Sequence, residues 1–532
     1  MEHELYCHGH LIEAGISHFE ATGRTDLLTI ARRAANRIVA DFNNKGPAYT
    51  PGHEEIEIAL LRLHQVTADP RYFDLARQFV EQRGRTPFFA ISIYRQNKSA
   101  NQRTRFIQDQ KTRYLAAHPD FKPFQLPGHN QVKAAPFSKL RWYISSLQGK
   151  YFQQHVPIRR QVVPVGHTVR FAYLETAAAM LARSDCDAGL RQTLERAWER
   201  MITRRMFVTG GIGSLDSLEG FGRDYELDPE FAYAETCAAL GSLFWNWEMV
   251  LLTGQAQYSD LFEWQLYNAA AVGMGAEGTT YLYNNPLVVR DGKTRQAWYS
   301  CPCCPSNLSR TWASLGKYLY SAEPGRLTVH QYVSSAWSQA NLDVEMESSL
   351  PWQGNVRLKI NSAPAGLFEI RLRRPSWADG MPAAVNAEPA ISDLSPVSEG
   401  DPFPTTASGY DPRRSGWFSL RREWAAGDEI EIRLPMQIQL RRAHPRLRGH
   451  AGKAAVTRGP LVYCLESIDN PGVDIFSARL DPSSLAASFD PALFGGIVRL
   501  TGRTSDGAPL NFIPYFRWGN RGKSQMTVWV NG

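Results

Sequence analysis

The run Ser-Cys-Pro-Cys-Cys-Pro-Ser-Asn at 300–307 places three of the chain's seven cysteines within four positions. Cys303 and Cys304 are adjacent, and neighbouring residues rarely reach the separation and orientation that a disulfide needs. Both thiols can instead reach one metal ion where the backbone turns. Pro302 and Pro305 are expected to hold such a turn by restricting φ and blocking helix or strand. Zn2+ takes four ligands from thiolate, imidazole and carboxylate, so two more must come from elsewhere. The run Ala-Tyr-Ala-Glu-Thr-Cys-Ala-Ala-Leu-Gly at 232–241 offers Glu235 and Cys237. A separation of two is not a same-face helical spacing, so the pair converges on one ion only if a helix begins there with an irregular first turn. A Cys3Glu site is one reading, and for Cys237 a small core thiol in an Ala-rich helix is the other. Metal binding removes a thiol's proton, and a thiolate that can loosen from the ion is an activated nucleophile. The chemistry offered is therefore metal binding and nucleophilic attack from one cluster. Cys301 has two readings, a spare ligand and, preferred, a buried or surface thiol outside the site; Cys186 and Cys464 read as structural.

Two kinds of element must position these groups. Up to about residue 320 the apolar residues recur at helical spacing. Segments 10–23, 25–42 and 54–84 read as helices joined by short loops, the last broken at Ala68-Asp69-Pro70. Further pairs are predicted at about 168–206 and 230–272. Antiparallel pairs in series suggest a helical toroid or repeat array. The stretch 85–160 is less regular and rich in Arg, Lys and Gln; it is expected to hold a helix and a long surface excursion toward the active face. From about 320 the period shifts to two, in runs such as NVRLKINS and DEIEIRLPMQIQL, as in antiparallel sandwiches. The expected domains are 1–319, an α/α-barrel, then β-sandwiches at 320–440 and 441–532.

Composition excludes several classes. At 43% hydrophobic and 21% charged residues, the 532-residue chain is an ordinary globular protein of two or three domains. The net charge of +7 is not gathered into a basic stripe, so nucleic acid is not an expected partner. No stretch approaches the roughly 20 apolar residues of a membrane span. The first residues lack the basic start, apolar stretch and cleavage site of a signal peptide. With an odd number of cysteines, reduced thiols and a cytoplasmic location are expected.

A wider set of motifs carries a resemblance. ELYCHGHLIEA, PGHEEIEIALLRL, GHTVRFAYL, MFVTGGIGS, AYAETCAALG, the Cys-Cys-Pro run, RGPLVYCLE and NFIPYFRWGNRG, in this order, resemble the β-L-arabinofuranosidase family of glycoside hydrolases. The resemblance extends from residue 4 almost to the C-terminus and is interrupted mainly across 85–160. It implies an (α/α)6 barrel followed by β-sandwich domains, and a retaining mechanism on an oligosaccharide or glycoconjugate. By the same resemblance Glu235, Cys237, Cys303 and Cys304 are zinc ligands, and Cys303 is also the nucleophile. Glu219, in the loop after TGGIGS, matches the proton donor; His10, His53 and His167 match sugar-binding histidines, and Tyr283 a tyrosine near the nucleophile. Ser306 departs from the family, which commonly carries a second proline there; the expectation is a looser turn. Members usually carry further helices before ELYC, so the barrel is expected to be incomplete at its front. Its uncovered apolar faces would favour a homo-oligomer. Two other functions fit the same residues: a sugar epimerase or lyase in which His167 and Glu219 exchange protons, and a non-catalytic carbohydrate-binding protein with structural zinc.

Overall fold

The computed structural model describes residues 3–122, 125–128, 134–339, 341–390 and 405–532. The chain is a helical N-terminal part followed by β-sheets, and it folds as two compact units. The first comprises Met1–Arg200 with Leu215–Phe221 and Trp298–Cys301; the second comprises Met201–Ser214, Gly222–Ala297 and Pro302–Gly532.

In the first unit the predicted helix pairs form where the local signals place them. α1 (Glu4–Thr22) starts six residues earlier than its apolar pattern suggested and stops at Gly23, whose φ of +71° only glycine adopts without strain. α2 (Asp26–Phe42) follows. α3 (Ile56–Thr67) ends at left-handed Ala68; the Asp69 side chain then accepts from Arg71 N at 3.1 Å, capping α4 (Pro70–Gln82). Pro70 suits that first turn because its missing N–H would have had no helical partner. α1 packs on α3 and α3 on α7 (Thr168–Ser184), while α2 and α4 lie against α1 and α3. The burial patterns agree with this layering. Every residue of α7 from Thr168 to Ala182 is buried, whereas α2 buries one stripe and exposes Arg32, Arg33 and Arg37. α8 (Ala188–Arg204) completes the last pair.

Among its described residues the stretch 85–160 contains two α-helices where one was expected: α5 (Phe89–Ala117) and α6 (Ser138–Leu147). Part of the predicted excursion, at 123–124 and 129–133, lies outside the described residues. Most of α5 faces solvent, with Phe106, Ile107 and Tyr114 exposed among its polar and charged side chains, so its helical pattern carries no clear buried apolar stripe to read.

The second unit holds α9 (Thr236–Thr253), α10 (Ala256–Gln265) and α11 (Cys303–Ala313). Among the described residues its strands form three sheets. A four-stranded sheet orders Gly416–Glu423, Leu367–Arg374, Arg326–Val329 and Tyr320–Glu323. A six-stranded sheet is centred on Asn355–Ser362, whose alternating burial is that of a half-buried strand. The largest sheet, of nine strands, is centred on Leu461–Glu466, buried at every position. Its edge strand is Val288–Lys293, paired with Ser524–Thr527, so a segment from the expected helical half completes the C-terminal sheet. Six residues with a bulge gave too short a period to read from the chain.

One buried ion network ties α10 to the sheets. Arg373, fully buried, reaches Asp260 Oδ1 at 2.7 Å and Glu263 Oε1 at 2.6 Å, and donates to the His330 carbonyl at 2.7 Å. Trp377 Nε1 donates to Glu263 at 2.7 Å, and Tyr410 OH to Asp260 at 2.5 Å. Removing the cation strands two buried carboxylates. Arg373→Met is expected to cost about 3–5 kcal/mol of stability, read as a lower denaturant midpoint at unchanged slope.

Candidate active site and metal centre

The second unit builds a sulfur-rich cluster from two helix starts. α9 begins at Thr236, with Glu235 just before it in extended conformation (φ −62°, ψ 138°) and Cys237 in its first turn. This is the irregular start that brings residues two apart to one point. α11 begins at Cys303, so both thiols lie in its first turn, behind Pro302. The prolines were expected to prevent a helix here. Instead Pro305 sits within the first turn, where its missing N–H leaves no helical hydrogen bond unmade. Ser306, expected to loosen the turn, fastens it: its hydroxyl donates to the carbonyls of Pro302 and Cys303, each at 3.0 Å.

One ligand atom from each of Glu235, Cys237, Cys303 and Cys304 lies within 4.8 Å of the other three. Cys237 Sγ and Cys304 Sγ are 3.3 Å apart; Glu235 Oε1 is 3.7 Å from Cys304 Sγ and 3.9 Å from Cys303 Sγ. Asn307, one turn beyond Cys303, donates its amide to Cys237 Sγ at 3.2 Å. Tyr283 OH stands 3.1 Å from Cys303 Sγ. Burial, and then the charge of Glu235, Cys304 and Cys303, push the Tyr283 phenol well up, so it stays protonated and donates to the sulfur.

The cluster suits a cation. Burial raises the Cys237 thiol, but hydrogen bonds from Cys303, Cys304 and Asn307 more than offset this and leave it at about 7. Burial and its two sulfur neighbours push Cys304 well up. One thiolate therefore opposes the next. A divalent ion reverses that opposition, and three sulfurs with one carboxylate are a donor set zinc accepts. The N-terminal ends of two helix dipoles also favour negative charge here. Of the three thiols, Cys237 and Cys304 are buried and Cys303 is only partly so.

The segment carrying Tyr283 is held from both sides. Thr236 N donates to Tyr283 O at 3.0 Å, and Asn285 Nδ2 donates to Ala234 O at 2.9 Å. From the C-terminal sheet Tyr515 OH lies 3.0 Å from the carbonyls of both Asn285 and Pro286. Lys293 Nζ donates to Asn284 O at 3.0 Å; burial, then Arg295, bring its amine down to about 7.

The first unit gathers the other predicted residues. Glu219 lies on a tight turn strapped to the start of α7, where Thr168 donates to its carbonyl from N at 3.0 Å and Oγ1 at 2.8 Å. Its φ is +47°, a strained value for glutamate that the straps enforce. Next to it Gly220 lies so close to Gly166 that an added Cβ would meet the Gly166 carbonyl at 2.2 Å. His167 caps α7: Val169 N donates to its Nδ1 at 3.2 Å. The proton therefore sits on Nε2, which donates to Glu219 Oε2 at 2.9 Å. Burial lowers the His167 pKa despite Glu219, so this donor is neutral imidazole. Glu219 remains about a quarter exposed (24%), and His167 6%. His53 is buried and donates from Nδ1 to Glu54 O at 3.0 Å, and burial, then Arg170 and His167, lower its pKa well below the usual range. Its ring centre is 5.6 Å from that of His167. His10 joins through Tyr6, whose ring lies 4.5 Å from both His10 and His53.

Tyr6, Arg170 and Asn307 were not singled out from the sequence. Each had a weak signal: Tyr6 is one helical turn before His10, Arg170 one turn after His167, and Asn307 one turn after Cys303.

Residues 1–317 match the family profile of the β-L-arabinofuranosidase GH127 catalytic domain, 326–436 that of the GH127 middle domain, and 438–531 that of the glycoside hydrolase family 127 C-terminal domain. A non-reducing end β-L-arabinofuranosidase from Bifidobacterium longum subsp. longum is 32% identical, aligning with 99% of this chain and 78% of its own length. Among solved structures, a GH127 β-L-arabinofuranosidase from Geobacillus stearothermophilus T6 superposes with a TM-score of 0.81 at 34% identity, covering 99% of this chain and 80% of the other. A second GH127 β-arabinofuranosidase superposes at 0.78 and 28% identity, covering 99% and 76%.

Proposed function

Because this chain belongs to glycoside hydrolase family 127, the β-L-arabinofuranosidase family, we propose that it releases β-L-arabinofuranose from the non-reducing end of glycosides with retained configuration. Cys303 is the nucleophile and Glu219 the acid and base. The observation that carries this reading is the convergence of Glu235, Cys237, Cys303 and Cys304, with Cys303 the one partly exposed thiol among them. Zn2+ held by these four residues would keep the thiols ionised without exposing them to random electrophiles.

The remaining steps belong to the chain's own groups. His10, His53 and His167 bind the sugar hydroxyls. Cys303 Sγ attacks the anomeric carbon, forming a C–S bond as the C–O bond to the leaving group breaks. Glu219 delivers its proton to the departing oxygen. The resulting carboxylate then takes a proton from water, the water oxygen attacks the same carbon, and the C–S electrons return to Cys303. Two inversions restore the β configuration. Tyr283 donates to the sulfur throughout and steadies its direction. His167 occupies Glu219 Oε2, which leaves Oε1 for the travelling proton.

The helix pairs α1 with α2 and α3 with α4 support an (α/α)6-type barrel within 1–319, and the strands from Tyr320 onward support sandwiches at 320–440 and 441–532, although the strand Ile438–Arg442 crosses the second boundary. The direct test is proton NMR of the first sugar released from an aryl β-L-arabinofuranoside. Initial appearance of the β anomer is expected; an initial α anomer refutes the covalent route. Metal analysis should find one zinc per chain, lost in Cys237→Ala. Chelation should lower the melting temperature of the wild type and leave that of Cys237→Ala unmoved.

A further inference from the structure

Phe137 is an aromatic side chain in an unusual position. It precedes α6 with φ +58° and is 79% exposed. A bulky residue held left-handed and left in water gains nothing from local packing, so its placement is imposed from outside. The imposing contacts lie on either side of it. Ala135 N donates to the buried Asp216 Oδ1 at 3.0 Å, and Ser217 Oγ donates to Ser138 Oγ at 2.9 Å. Asp216 and Ser217 belong to the 215–220 turn, in which Glu219 N donates to Asp216 O at 3.0 Å. Further back, Ser300 N donates to Pro127 O at 3.0 Å, three residues before Cys303 in the chain. The segment leading into α6 is thus tied to the turn that carries Glu219, within one compact unit.

Resting on the proposed role of Glu219, we propose that Phe137 is the platform on which the leaving group stacks, and so helps determine which aglycone is accepted. An acid that protonates the departing oxygen must face the leaving group, so a ring borne on a segment whose Ala135 and Ser138 are tied three and two residues from that acid is carried to the aglycone side. The apolar C–H face of a second sugar, or an aryl ring, covers an exposed phenyl favourably. The region that holds Phe137 is also the one where the chain departs most from the family motifs. Phe88 is a built-in control: it too follows a proline, precedes a helix (α5) at φ +48° and is 82% exposed, yet no described hydrogen bond of its neighbours reaches the Glu219 turn.

The experiment measures calorimetric binding of methyl β-L-arabinofuranoside and of an arabinofuranosyl disaccharide to Glu219→Gln, alone and combined with Phe137→Ala or Phe88→Ala. Turnover of both ligands by wild type is followed in parallel. Phe137→Ala should weaken the disaccharide about 10-fold, equal to about 1.4 kcal/mol, and leave the methyl glycoside and the circular dichroism unchanged. Phe137→Trp should restore the disaccharide, and Phe88→Ala should change neither ligand. Equal losses on both ligands, no loss on the disaccharide, or no disaccharide binding at the start overturns the platform. The hydrolase reading fails separately, if the disaccharide binds and wild type cleaves neither glycoside.

Discussion

Cys303→Ser is expected to abolish release of arabinose, a fall on the order of 10⁴-fold or more in kcat, because removal of a nucleophile leaves only binding and charge stabilisation. A hydroxyl keeps the shape of the side chain but loses the easily ionised sulfur. It also weakens the donor set, so activity alone would not separate nucleophile from ligand. Two measurements do. Acid quenching of wild type during turnover should leave one pentose on the peptide that contains Cys303; a pentose on Glu219 or any other residue refutes the assignment. Cys304→Ala should lose the metal and lower the melting temperature, because Cys304 is buried between Cys237 and Glu235, whereas Cys303→Ser should keep the folded circular dichroism spectrum.

Glu219→Gln should fall by about 10²–10⁴-fold on an alkyl arabinofuranoside, the range that general acid catalysis supplies. The fall should be much smaller for the glycosylation step of an aryl substrate whose leaving group departs without a proton, and pre-steady-state release of the phenol reads that step directly. The second step still needs a base, so the covalent species should accumulate in this variant, and mass spectrometry should find it. Equal losses on alkyl and aryl substrates would show that Glu219 holds the turn together and transfers no proton. The geometry argues for proton transfer: the straps from Thr168 act on the backbone carbonyl, which the substitution leaves in place, while His167 still finds an acceptor in the glutamine carbonyl.

Much of this protein was legible without coordinates, for particular reasons. The break between α3 and α4 was readable because Asp69 and Pro70 act within one turn of themselves. The helix pair that begins with α7 was readable in the helical spacing of apolar residues across 168–206. The change of period near residue 320 marked the shift from helix to strand. The adjacent thiols and the Glu-Thr-Cys triplet announced a donor set because ligand chemistry is a property of side-chain type. Where expectation failed, position within an element decided the matter. A proline blocks a helix interior and suits its first turn, and only the hydrogen-bond pattern of α11 shows which applies to Pro305.

The amino-acid sequence by itself determined the inventory: which sulfurs and carboxylates exist, which stretches coil and which extend, and to which family their order belongs. Tertiary structure alone decided the meeting of residues 235 and 237 with 303 and 304, the seating of Glu219 Oε2 on His167, and the recruitment of Val288–Lys293 as an edge of the C-terminal sheet that steadies Tyr283 through Tyr515. Periodicity, caps and turn residues act over a few positions, so they are written locally. Convergence over tens of residues depends on burial and hydrogen bonds supplied by the rest of the chain, which no short window contains.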